Sequence, residues 1–121
     1  MSLPVVVADD STMSRKLTIK ALPDDWDVDV TQAADGQEAL AACRQGKADV
    51  MFLDLTMPGM SGFDVLEAIR DEGLECVVVV ISADIQPKAR ERAIELGAVD
   101  FIRKPVDSGE VARVLDEFGL R

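Results

Sequence analysis

The chain has 121 residues, 48% apolar and 30% charged, and a formal net charge of −10, which suits one soluble globular domain with a real core. The excess of acid argues against nucleic acid as a direct partner, because phosphate contacts need clustered Lys and Arg. No histidine is present, which removes imidazole acid–base chemistry, His-ligated zinc and Ser-His-Asp triads.

The two cysteines, Cys43 and Cys76, make no CxxC pair and read as small buried apolar residues. No apolar stretch approaches the roughly 18 residues of a membrane span, and the N-terminus carries no secretory leader. A cytoplasmic protein with no membrane contact is the expectation, and Met1-Ser2-Leu3 reads as left over from cloning.

Val5 to Ala8 form the first strand, which runs into Asp9-Asp10. Ser11 or Thr12 caps a helix through about Leu22, with Met13, Leu17 and Ala21 at four-residue spacing on its inner face. Pro23-Asp24-Asp25 ends it. From Trp26 to Ala33 the residues alternate, with Trp26, Val28 and Val30 facing one way and Asp27, Asp29 and Thr31 the other, as in an edge strand with one solvated face. Asp35-Gly36-Gln37-Glu38 opens a second helix to about Arg44, closed by Gly46.

Ala48 to Leu53 follows as a strand buried on both faces, ending at Asp54. Ser61-Gly62-Phe63-Asp64 resembles a capping box, and Phe63, Leu66 and Ile69 supply the apolar stripe of a third helix that Gly73 ends. Cys76 to Ile81 is the most apolar run and stops at Ser82. Pro87 suits the first turn of a fourth helix to Leu96. Ala98 to Ile102 is a short fifth strand before Arg103-Lys104-Pro105. Asp107-Ser108-Gly109-Glu110 caps the last helix, whose stripe is Val111, Val114, Leu115 and Phe118.

Five strands alternating with five helices predict an α/β fold, a doubly wound five-stranded parallel sheet with helices on both faces. In open parallel sheets the ligand site lies beyond the carboxyl ends of the strands, where strand order reverses. For order 2-1-3-4-5 that point falls between the first and third strands, the ones ending in Asp9-Asp10 and Asp54. The fourth and fifth strands end alongside, in Ser82 and Lys104.

Three carboxylates at such close range need cations, and Mg²⁺ with its preference for oxygen donors answers this. With Lys104 and Ser82 they compose a site for a phosphoryl group, with Asp54 as nucleophile. Each residue alone has a plain alternative: a helix cap for Asp9 or Asp10, a small strand-end residue for Ser82, a surface lysine for Lys104. Complementary groups on four strand ends together point to chemistry.

Asp9-Asp10, the segment from Leu53-Asp54-Leu55-Thr56 to Ser61-Gly62, Ile81-Ser82-Ala83, and Asp100-Phe101-Ile102-Arg103-Lys104-Pro105 resemble the receiver domain of bacterial response regulators, in the family's order and over almost the whole chain. Asp9 to Met13 looks CheY-like. The resemblance implies a flavodoxin-like (βα)5 fold of order 2-1-3-4-5, with residues 1–121 as a single receiver domain. It implies that Asp54 accepts phosphoryl from a histidine kinase. Asp10, Asp54 and the backbone carbonyl of Thr56 would bind Mg²⁺ (Mn²⁺ as the alternative), with Asp9 acting through water.

By the same resemblance Lys104 and Ser82 contact the phosphoryl oxygens, Ser82 and Phe101 form the switch, and the Lys104–Pro105 peptide is cis. The implied partners are the kinase and a downstream target protein or phosphatase, with the chain a monomer or a weak phosphorylation-dependent dimer. The chain departs from the family's commoner residues at Phe101, where Tyr often stands, and at Ser61, where Asp is commoner. Thr56 and Asp84 occupy positions that tune the attacking water in this family. Two other readings compete. One is a phosphatase of the haloacid-dehalogenase type, which usually carries a second Asp where this chain has Thr56. The other is a degenerate receiver that no longer takes phosphate.

Overall fold

A computed structural model describes residues 2–84 and 86–121, so Met1 lies outside the described residues. The elements are β1 (Leu3–Ala8), α1 (Thr12–Ala21), β2 (Val28–Ala33), α2 (Gly36–Arg44), β3 (Val50–Leu53), α3 (Gly62–Glu72), β4 (Val77–Ser82), α4 (Pro87–Glu95), β5 (Asp100–Arg103) and α5 (Ser108–Glu117). All strand pairings are parallel, in the order β2-β1-β3-β4-β5. Among the described residues no helix is long and apolar enough to cross a membrane.

Alternation along the strands divides the core in two. Val6, Ala8, Met51, Leu53, Val78 and Val80 pack with Leu40, Val65, Leu66 and Ala93 of α2, α3 and α4. Val5, Val7, Val50, Phe52, Val79 and Ile81 pack on the other face with Ala21 of α1 and Val111, Val114 and Leu115 of α5. Both faces are therefore covered, and β3 is buried along its whole length. Each fully buried Val, Leu or Phe contributes about 1.5–3 kcal/mol, so the central strands anchor the site that begins where they end.

The helices start where the sequence signals them. Ser11, Asp35, Ser61 and Asp107 each accept a backbone N–H of the first turn, and Ser61 with Asp64 completes a reciprocal capping box. Pro87 occupies the first turn of α4.

Four expectations are corrected. Met13 and Leu17 are 66% and 52% exposed, while Thr18 and Ala21 are buried. Packing on the sheet takes the face that carries Thr18 and Ala21. Phe118 is not part of the buried stripe: it caps α5 and is 40% exposed. The first strand, expected from Val5, already opens at Leu3, whose N–H donates to the Asp27 carbonyl at 3.0 Å. Thr31, assigned to the solvated face of β2, is half-buried.

Strand bounds move as well. Trp26 is buried ahead of β2, edge-on to Phe52 at 6.3 Å, with its indole N–H donating to the Leu120 carbonyl at 3.0 Å. β3 starts at Val50 and β5 runs Asp100–Arg103, because the parallel ladder, not the apolar run, sets where pairing begins.

Candidate functional site

The site is assembled by the sheet ladder running one step past the formal strands. The Asp54 N–H donates to the Ala8 carbonyl at 2.9 Å, which sets Asp54 beside Asp9. The Asp9 N–H donates to Ala33 at 3.0 Å, and the Lys104 N–H donates to Ser82 at 2.9 Å. Asp9, Ser82, Asp54 and Lys104 are thus held by backbone at one edge, as the strand order demands.

Asp9, Asp10 and Asp54 each offer a carboxylate oxygen, and these oxygens lie within 4.8 Å of one another. Asp9 and Asp54 are buried; Asp10 is exposed. The Lys104 ammonium donates to Asp9 Oδ2 at 2.7 Å and stands 3.5 Å from Asp54 Oδ1. Burial pushes the Asp54 carboxyl above its ordinary pKa; Lys104 opposes that rise, Asp9 adds to it, and the Thr56 backbone opposes it. Three carboxylates against one ammonium leave two negative charges uncompensated at a partly buried locus. That donor set, hard oxygens with an excess charge of two, fits a divalent cation such as Mg²⁺.

The supporting residues explain the local sequence. Gly62 is required by close approach: a Cβ there would lie 2.5 Å from the Asp54 carbonyl oxygen and 2.7 Å from Leu55 Cα. The start of α3 therefore rests directly on the strand end that carries Asp54, and the Gly62 N–H donates to the Leu55 carbonyl at 2.9 Å. Ser82 is buried, and its hydroxyl oxygen accepts the Asp84 N–H at 3.0 Å. Thr56 is exposed two residues after Asp54. The Lys104–Pro105 peptide is cis.

Phe101 is half-buried on β5, beside a groove of roughly 420 Å³ that Pro87, Arg90, Asp100 and Arg113 also line.

Charge contacts that the sequence did not point to lie at this edge and at the start of β5. Arg15, one turn into α1, donates through Nη1 to the Asp9 carbonyl at 2.7 Å and through Nε to Gln32 at 3.0 Å, fixing the turn that bears two of the acids. Its signal was its position, six residues after Asp9 on a helix whose cap was legible. Asp100, buried on β5, meets Arg90 of α4 at 3.7 Å and Arg113 of α5 at 3.4 Å. The basic residues Lys88, Arg90 and Arg92 of α4 do not act as one cluster. Arg92 turns to α3, 4.3 Å over the Phe63 ring and 3.9 Å from Glu67.

Residues 5–116 match the family described as response regulator receiver domain. Among curated proteins, the chain is 41% identical over 102 residues to a protein-glutamate methylesterase/protein-glutamine glutaminase of Geobacter sulfurreducens, covering 84% of this chain and 27% of that protein. A second of that description, from Nitratidesulfovibrio vulgaris, is 39% identical over 121 residues, covering 98% of this chain and 33% of its own. The chain therefore spans about a third of the length of these relatives. Among solved structures, the signal receiver domain of NarL from Mycobacterium tuberculosis superposes with a TM-score of 0.87 at 36% identity, covering 99% of this chain and 98% of the other. Chemotaxis protein CheY4 of Vibrio cholerae gives 0.84 at 26% identity, covering 97% and 98%.

Proposed function

The chain belongs to the response regulator receiver family, and from that premise we propose that residues 1–121 act as one receiver domain, a phosphorylation-dependent switch that accepts phosphoryl on Asp54 from a histidine kinase. The observation that carries the reading is the set of three carboxylate oxygens within 4.8 Å around a buried strand-end Asp that also faces an ammonium. An Asp54 oxygen attacks phosphorus; the P–O bond forms as the P–N bond to the donor imidazole breaks, and the imidazole leaves with the bond pair. Lys104 moves its donors from Asp9 to the phosphoryl oxygens. Ser82 accepts from Asp84 N–H and keeps its own O–H to donate to the phosphoryl group.

When bound, Mg²⁺ or Mn²⁺ supplies charge neutralisation at those oxygens. Asp10, Asp54 and the Thr56 carbonyl would hold it, with Asp9 through water. The chain turns over no other substrate beyond its own phosphorylation and dephosphorylation, and it works in the cytoplasm.

The donor docks on the edge beside Lys104. There the exposed Leu17 lines a groove of roughly 340 Å³ with Ser14, Lys104, Pro105 and Val106. Output leaves by the α4–β5–α5 face. Ser82 drawn toward Asp54 vacates space that Phe101 turns to fill, and an acidic segment of the target meets Lys88 and Arg90. A chemotaxis role is favoured by the likeness to chemotaxis protein CheY4.

Acetyl phosphate with Mg²⁺, followed by peptide mapping, tests the acceptor. One phosphoryl group on Asp54 is expected, and label kept by Asp54→Asn at the wild-type level would sink the reading. Sustained turnover of a phosphate ester would instead revive the phosphatase. Amide shifts on adding beryllofluoride should extend along residues 88–104 if Phe101 switches, and shifts confined to the loops at Asp10, Asp54 and Ser82 would refute the output face.

A further inference from the structure

The two acids that follow β1 are held in different ways. Asp9 is fixed at four points. Its N–H donates to the Ala33 carbonyl at 3.0 Å, Oδ1 accepts the Ser11 N–H at 2.9 Å, Oδ2 accepts Lys104 at 2.7 Å, and its carbonyl oxygen accepts Arg15 Nη1 at 2.7 Å. Asp10 is exposed, and among the described residues its carboxylate has no hydrogen bond or ion pair. Its place in the carboxylate cluster is therefore set by the backbone that carries it. The Asp9 carbonyl belongs to the peptide joining the two acids, so the Arg15 hydrogen bond fixes the plane from which Asp10 departs.

Arg15 is half-buried, and its guanidinium fork spans three segments. Nη1 holds the β1–α1 turn, Nη2 donates to Thr12 Oγ of α1 at 3.2 Å, and Nε donates to Gln32 Oε1 of β2 at 3.0 Å. All three acceptors are neutral. The planar fork is therefore used for its geometry, and its charge is not spent on a carboxylate.

We propose, on the reading that Asp10 and Asp54 hold a divalent cation, that Arg15 is a positioning residue for that cation, with Gln32 as the strut that aims the guanidinium. Charge alone gives the opposite sign, because deleting a cation beside the acids leaves more attraction for Mg²⁺. Positioning and charge are thus separable by experiment.

Mg²⁺ is titrated calorimetrically into metal-free protein with no phosphodonor present. Arg15→Ala should raise Kd roughly tenfold, the scale on which groups supporting a metal ligand act. Arg15→Lys keeps the charge but loses the fork, and should also bind more weakly than wild type. Gln32→Ala changes no charge at an exposed strand position, and should weaken binding about threefold. The double variant Arg15→Ala/Gln32→Ala should bind no more weakly than Arg15→Ala, since Gln32 acts through Arg15. In acetyl phosphate labelling of Asp54, Arg15→Ala should need more Mg²⁺ for half the maximal rate and reach the wild-type rate at saturation. A purely structural role would lower Tm and leave Kd where it was. Binding by Arg15→Ala as tight as wild type or tighter would overturn the proposal; if that variant does not fold, unchanged binding by Gln32→Ala would do so. A wild-type chain that binds no Mg²⁺ would sink the metal reading itself.

Discussion

Asp54 and Asp100 are both strand-borne carboxylates taken out of water, and the chain treats them oppositely. Asp54 shares one ammonium with Asp9 and lies close to Asp10. Asp100, at the start of β5, has two guanidinium groups near it, Arg90 and Arg113. Arg113 is shared further with Glu110 and Glu117 at 3.0 and 2.7 Å. Three carboxylates stand against one ammonium around Asp54, a shortfall of two positive charges, whereas three share two guanidinium groups around Asp100, a shortfall of one. The better-paired buried carboxylate fastens β5 to α4 and α5, and the poorly paired one demands a cation.

The largest effect expected from breaking this contrast comes from Gly62→Ala. The new methyl would meet the backbone under Asp54, so it should cost about 1–3 kcal/mol and slow phosphorylation together. Unfolding in urea with a parallel acetyl phosphate assay checks this, and a variant of wild-type stability would show that α3 has room to move.

The Asp100 and Asp10 substitutions should differ in sign. Asp100→Asn should lower stability by about 1 kcal/mol, a modest figure because its arginine partners are half in water. Asp10→Asn should raise Tm without metal by on the order of 1–2 °C, since it relieves repulsion among the acids, and should weaken Mg²⁺ binding by titration. Thermal melts of the two in metal-free buffer break the comparison if both move the same way.

The smallest effect is expected at Trp26, which lies at the other end of the sheet, bonded to the Leu120 carbonyl. Its fluorescence should hardly change with Mg²⁺, and strong quenching would place the cation elsewhere.

Much of this was legible in the residues, for reasons that are local. The short apolar runs ending in Asp9-Asp10, Asp54 and Ser82 read as buried strands, and caps at Ser11 or Thr12, Asp35, Ser61 and Asp107 marked where the helices start. Strand order 2-1-3-4-5 then dictated that the acids meet. Met13 and Leu17 misled because a four-residue spacing of apolar side chains fits either face of a short helix, and only contact with the sheet chooses between them.

The chain alone determined the strand–helix alternation, the identity of the groups at each strand end and the shortage of positive charge among them, since these follow from residue type and period. Tertiary structure decided what depends on distance between segments remote in sequence. It set Lys104 on Asp9 across 95 residues, brought Arg90 and Arg113 to Asp100, and sent Arg92 to the Phe63 ring of α3. Long flexible side chains such as Arg and Lys reach several neighbours at similar cost, so their partners are chosen by the packed surface around them and not by the spacing of the residues that carry them.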